Sequence, residues 1–202
     1  MQNFRLLAGA VSSASFLFAA QGVLAAGDED TAPPAKTQTT QDCFAERQWD
    51  PELKKYVKYS QKVNGVWDPN LKRCIRPDKA GYLKSDLLED AVRELAYAGR
   101  NDEAQMVLAQ MDQISDFVLT YWGFTHRKLG DAAAADQFYT AAIEKNPDNI
   151  LARSYMGQGK VAEGDVLAAI EQLREIRSRG GSDTWAEVSL VKAIATGVTY
   201  NY

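Results

Sequence analysis

Beyond Ser85 the apolar residues fall three and four apart: Leu87, Leu88, Ala91 and Leu95, then Met106, Leu108 and Met111. This is the spacing of one buried face of an α-helix. The runs are interrupted at Gly99–Asp102, Leu129–Asp131, Asn146–Asp148, Glu163–Asp165 and Gly180–Asp183. Each interruption joins a glycine or proline to an Asp, Asn or Ser that can cap the next helix. The pattern predicts about seven helices of roughly 11–16 residues with very short connections. Upstream the pattern changes. Lys55, Tyr56, Val57 and Lys58, and later Arg73, Cys74 and Ile75, alternate or are β-forming. Each group follows the same turn signal, because Trp49-Asp50-Pro51 recurs eighteen residues on as Trp67-Asp68-Pro69. Proline fixes its own φ, and Asp can bond the backbone ahead. Residues 43–80 are therefore expected to form two small hairpins or one irregular β unit.

The helical breaks are periodic. Gly123 and Gly157, Gly130 and Gly164, Asp131 and Asp165, Ala135 and Ala169, and Tyr139 and Leu173 all stand 34 residues apart. Gly99 to Gly130 and Ala104 to Ala135 are both 31. One stretch reads Leu119, Trp122, Gly123, His126, Gly130, Asp131, Ala135, Tyr139, Ala142 and Pro147. The next reads Met156, Gly157, Gly164, Asp165, Ala169, Ile170, Leu173 and Ile176, and departs from the pattern at Arg153, Lys160 and Gly181.

Over roughly 115 residues this pattern resembles the tetratricopeptide repeat family. The resemblance implies a mainly α fold: an antiparallel helix-pair solenoid in a domain at 81–202. Its units would lie at about 85–115, 116–149 and 150–181, with a capping helix at 183–196. It also implies a concave groove, lined by the first helix of each pair, that accepts a peptide or another protein. Carried onto this chain, that face takes in Glu89, Arg93 and Tyr97, then Phe117, Thr120, Phe124, Arg127 and Lys128, then Ser154 and Gln158. One subgroup of the family clamps C-terminal carboxylates with Lys and Asn. Glu89 and Arg93 stand in the first-copy clamp positions, so that activity is not implied.

The N-terminus has a different character. Arg5 is the one charge before Asp28, and Leu6–Ala26 is rich in Leu, Ala, Val and Phe. A short positive start, an apolar stretch and small residues describe a secretory signal, here 1–26, with cleavage after Ala25 or Ala26. Residues 27–42 carry no aromatic or branched aliphatic residue other than Thr and are expected to be a disordered linker. The mature chain is then periplasmic or secreted, without membrane insertion. An oxidising compartment would join Cys43 to Cys74, the only two cysteines. With this signal and cysteine segment, the chain resembles exported tetratricopeptide repeat proteins of Gram-negative bacteria.

Charge divides the same way. Residues 43–84 hold ten Lys or Arg against five Asp or Glu, while 85–202 hold eleven against eighteen. The pI of about 5.1 is no nucleic-acid footprint. His126 is the single histidine and is expected to pack structurally. Gly157-Gln158-Gly159 falls inside an expected helix and is no phosphate loop. No catalytic residue, metal or cofactor is expected, and the partner is a protein or peptide. The first reading is thus a non-enzymatic periplasmic scaffold. The alternative is a cell-wall or carbohydrate-binding module that stacks sugars on Trp49 and Trp67, carried on a helical spacer.

Overall fold

The computed structural model describes residues 36–44, 47–50, 55–58, 65–76, 78 and 83–200, and the structural statements below concern these. The expected signal at 1–26 lies outside them. The fold is mainly helical. Seven α-helices follow four short strands: α1 Ser85–Tyr97, α2 Asn101–Leu108, α3 Asp116–Lys128, α4 Ala132–Lys145, α5 Ile150–Glu163, α6 Val166–Ser178 and α7 Trp185–Thr196. Connections are two to seven residues long. No helix among the described residues is long and apolar enough to cross a membrane.

The boundaries follow from local chemistry. Asp131, Asn149 and Asp165 each accept a hydrogen bond from the backbone N–H three residues on, at 2.8–3.0 Å. That satisfies an N–H the first helical turn would otherwise leave unpaired. At the other end Gly164 has φ +83° and Gly197 φ +72°, the left-handed conformation that closes a helix. α2 has eight residues, fewer than its spacing predicts. The Gln113 Nε2 donates to the carbonyls of Leu108 and Met111 at 2.8 and 2.7 Å, which holds the chain in a turn where a longer helix would run on.

Successive helices pack on one another, and α1, α3, α5 and α7 also pack in sequence, each odd-numbered helix on the next. Two glycines permit the close approaches. A Cβ on Gly123 would meet the Tyr139 ring at 2.6 Å, and one on Gly157 would meet Leu190 at 2.8 Å. One core runs from Cys43 and Phe44 through α1–α3 to Tyr155, and a second joins Val161, Ala169, Leu173, Ile176, Leu190 and Ala193.

The N-terminal part contains two antiparallel hairpins. β1 Arg47–Asp50 pairs with β2 Lys55–Lys58, placing Trp49 opposite Tyr56; β3 Val66–Asp68 pairs with β4 Arg73–Ile75, placing Trp67 opposite Cys74. In the second hairpin Asp68 Oδ1 accepts from the N–H groups of Asn70 and Leu71 at 2.8 and 3.1 Å. A disulfide joins Cys43 to Cys74, with Cα atoms 5.4 Å apart.

Of the disordered linker expected at 27–42, residues 27–35 lie outside the described residues, and 36–42 are packed on the fold. Residues Thr39–Cys43 form a single wide helical turn that packs on α1 and β3. Its anchor is the buried carboxylate of Glu94 on α1. Glu94 accepts from the Thr37 N–H at 2.9 Å, the Thr37 hydroxyl at 2.7 Å, the Thr40 N–H at 3.2 Å, and the Thr40 hydroxyl. The strap is polar, so its ordering comes from charge-assisted hydrogen bonds more than from apolar burial.

Candidate binding face

α1, α3 and α5 lie side by side and are joined by aromatic residues. The Tyr97 hydroxyl lies 2.7 Å from the hydroxyls of both Tyr121 and Tyr155, linking three helices at one point. Tyr121 and Tyr155 are fully buried. Burial, then the neighbouring tyrosines, raises the Tyr155 phenol well above its ordinary range. Towards solvent, the Arg93 guanidinium stands 6.0 Å from the Phe117 ring and donates to Asp90 at 2.9 Å. Phe117 in turn packs on Tyr121, with ring centres 4.6 Å apart. Glu89 accepts from Ser85 Oγ at 3.1 Å.

At the C-terminal turn of α3, Arg127 and Lys128 both stand over Phe124, each 5.7 Å from the ring centre. Arg127 Nε lies 3.5 Å from the Tyr139 hydroxyl. Burial, then the adjacent Arg127 charge, lowers the Lys128 ammonium to about 8. Burial pushes the Tyr139 phenol up to about 12, opposed by Arg127.

Four of the ten expected groove residues are buried by neighbours. Phe124 is core. The Thr120 hydroxyl donates to the Asp116 carbonyl at 2.7 Å and accepts from Asn149 Nδ2 at 3.0 Å. Ser154 Oγ donates to the Ala186 carbonyl on α7 at 2.7 Å, and Gln158 Oε1 accepts from the Tyr200 N–H at 2.7 Å. α7 and the chain after it therefore occupy the face that α5 was expected to present. Glu89, Arg93, Tyr97, Phe117, Arg127 and Lys128 remain half-buried along α1 and α3. The tyrosine junction was not anticipated. Tyr121 and Tyr155 are themselves 34 residues apart, and that spacing carried the signal.

His126 packs against both Trp122 and Phe138, which also stack on each other, and its Nδ1 lies 3.5 Å from Asp131. Trp67 is half-buried and lines a cleft of about 350 Å³ with Lys36, Pro69, Leu87 and Asp90. The side chain of Trp49 lies outside the described residues. Among those residues no group of three His, Cys, Asp or Glu is placed to hold a metal ion. No protein-family model, curated protein or solved structure matches the chain.

Proposed function

We propose that this chain is a helical-repeat scaffold of the tetratricopeptide type that works in the periplasm without catalysis. It binds a protein or peptide along the exposed face of α1 and α3. The observation that carries the reading is the row of half-buried Arg93, Phe117, Arg127 and Lys128, held by the aromatic junction beneath it. Mixed aromatic and cationic side chains on rigid helices suit peptide recognition. Repeat architecture is supported by the paired close approaches at Gly123 and Gly157 and by the matched caps at Asp131 and Asp165. The disulfide is compatible with an oxidising compartment. The test is selection from a random peptide library displayed on phage. Wild type enriches a common motif, and Phe117→Ala with Arg93→Ala lowers recovery about tenfold while preserving helical circular dichroism. Equal recovery by both proteins would remove the face from consideration.

A second reading draws on Trp67 and its cleft, whose mixed polar and aromatic lining suits a sugar ring. Sedimentation with purified peptidoglycan tests it. Retention unaffected by Trp67→Ala counts against stacking there.

A further inference from the structure

Seven cations among the described residues are buried or half-buried: Arg93, Arg100, Arg127, Lys128, Arg153, Lys160 and Arg179. Five of them have a carboxylate within ion-pair distance. Arg93 has Asp90, Arg100 has Glu103, Arg153 has Glu175, Lys160 has Asp136 and Glu163, and Arg179 has Asp148 and Glu175. Arg127 and Lys128 have none among the described residues. The helical body carries eighteen acids against eleven cations, so a shortage of carboxylates is not the reason.

The geometry of the pair is built rather than incidental. Both cations stand over the same buried ring, Phe124. Arg127 Nη2 is buried and makes no hydrogen bond. Gly159 on α5 leaves room for the arm, since a Cβ there would lie 3.3 Å from Arg127 Cδ. The acid on α4 that shares this junction, Asp136, is already held by Lys160. Two adjacent like charges removed from water without a counter-charge are costly. A bound carboxylate would accept from both and offset that cost.

We propose that Arg127 and Lys128 form a subsite for an internal Asp or Glu side chain of the bound peptide. The proposal rests on the peptide-binding reading above and names the chemistry of its ligand.

The test is fluorescence anisotropy at low salt, using the full chain and two labelled octapeptides. One carries Glu residues between Gly and Ser flanks, the other has Gln in their place, and both are amidated at the C-terminus. The Glu peptide should bind about tenfold more tightly than the Gln peptide, with the difference shrinking as salt rises. Arg127→Gln should abolish the preference. Lys128→Arg should retain it, which separates charge recognition from a merely structural role. Inorganic phosphate should displace the Glu peptide no better than acetate at equal ionic strength. Stronger displacement by phosphate would overturn the carboxylate assignment in favour of a phosphorylated group. Equal binding of the two peptides, unchanged in Arg127→Gln, would overturn the subsite and leave the peptide-binding reading standing. If neither octapeptide binds while library-selected peptides do, the acidic class is wrong. If the library also yields nothing, the broader reading fails.

Discussion

Two helical glycines make opposite predictions because their neighbours differ. At Gly123 the obstacle is the fully buried Tyr139 ring, held between helices. Gly123→Ala forces that ring to move and should destabilise the chain by about 1–3 kcal/mol in urea unfolding. At Gly159 the obstacle is the Cδ of Arg127, an extended arm that can give. Gly159→Ala also gains helix propensity, so its stability should rise by up to about 1 kcal/mol or stay level. Lys128 supplies a pH dependence. Its ammonium is held at about 8, below its ordinary 10.5, so the folded chain releases that proton before the unfolded chain does. Its contribution therefore destabilises the fold below pH 8 and fades as pH rises from about 8 towards 10.5. Beside it stand the Arg127 charge on the same helix and the Phe124 ring, 5.7 Å from the ammonium. Tyr139 is raised to about 12, so it opposes the gain only above about pH 10. Lys128→Met should be the more stable protein at pH 7 by about 1 kcal/mol or less, allowing for screening. Thermal unfolding of both proteins should draw together above about pH 8 and converge only near pH 10.5. A residue that weakens the fold by holding a half-buried charge fits the trade between stability and function.

Helix ends were the most legible elements, because glycine conformations and Asp or Asn caps act within a few residues. Gly130, Asp131, Gly164 and Asp165 could each be read without knowing what they pack against. The strap over α1 was not legible. Its partner, Glu94, stands 57 residues from Thr37, and no local pattern points there. Its threonines and glutamines look like linker residues until that carboxylate collects their donors. Burial of Ser154 and Gln158 was missed for a related reason: a capping helix was expected at 183–196, but repeat spacing does not say which side chains of α5 it covers. For the strap, Glu94→Ala should remove the acceptor and leave several donors competing for water. The expected loss is roughly 2–3 kcal/mol. Hydrogen exchange should show the Thr37 and Thr40 amides losing protection while amides in α4–α6 keep theirs.

At the scale of the whole molecule, the disulfide sits inside the larger core, since Cys43 and Phe44 are fully buried beside α1. It spans a separation of 31 residues. Replacing both cysteines by serine should cost about 3–4 kcal/mol in the chain-entropy model. For a chain of this size that lowers the thermal midpoint by roughly 6–16 °C. α5–α7 have their own core and should stay folded at temperatures where α1 and α2 have loosened. Hydrogen exchange on the double variant would check that order; uniform loss of protection along the chain would show a single cooperative unit instead.

The tyrosine junction also gives the molecule an intrinsic optical gauge. Tyr97 has one hydroxyl proton but two phenolic neighbours, so it donates to one and accepts from the other. Trp185 on α7 stands 5.8 Å from Tyr155, close enough to receive excitation from the cluster. Sliding of α1 or α5 against α3 would break one link of the phenol chain. Ultraviolet resonance Raman bands of tyrosine, and transfer to Trp185, would register that motion without any attached label.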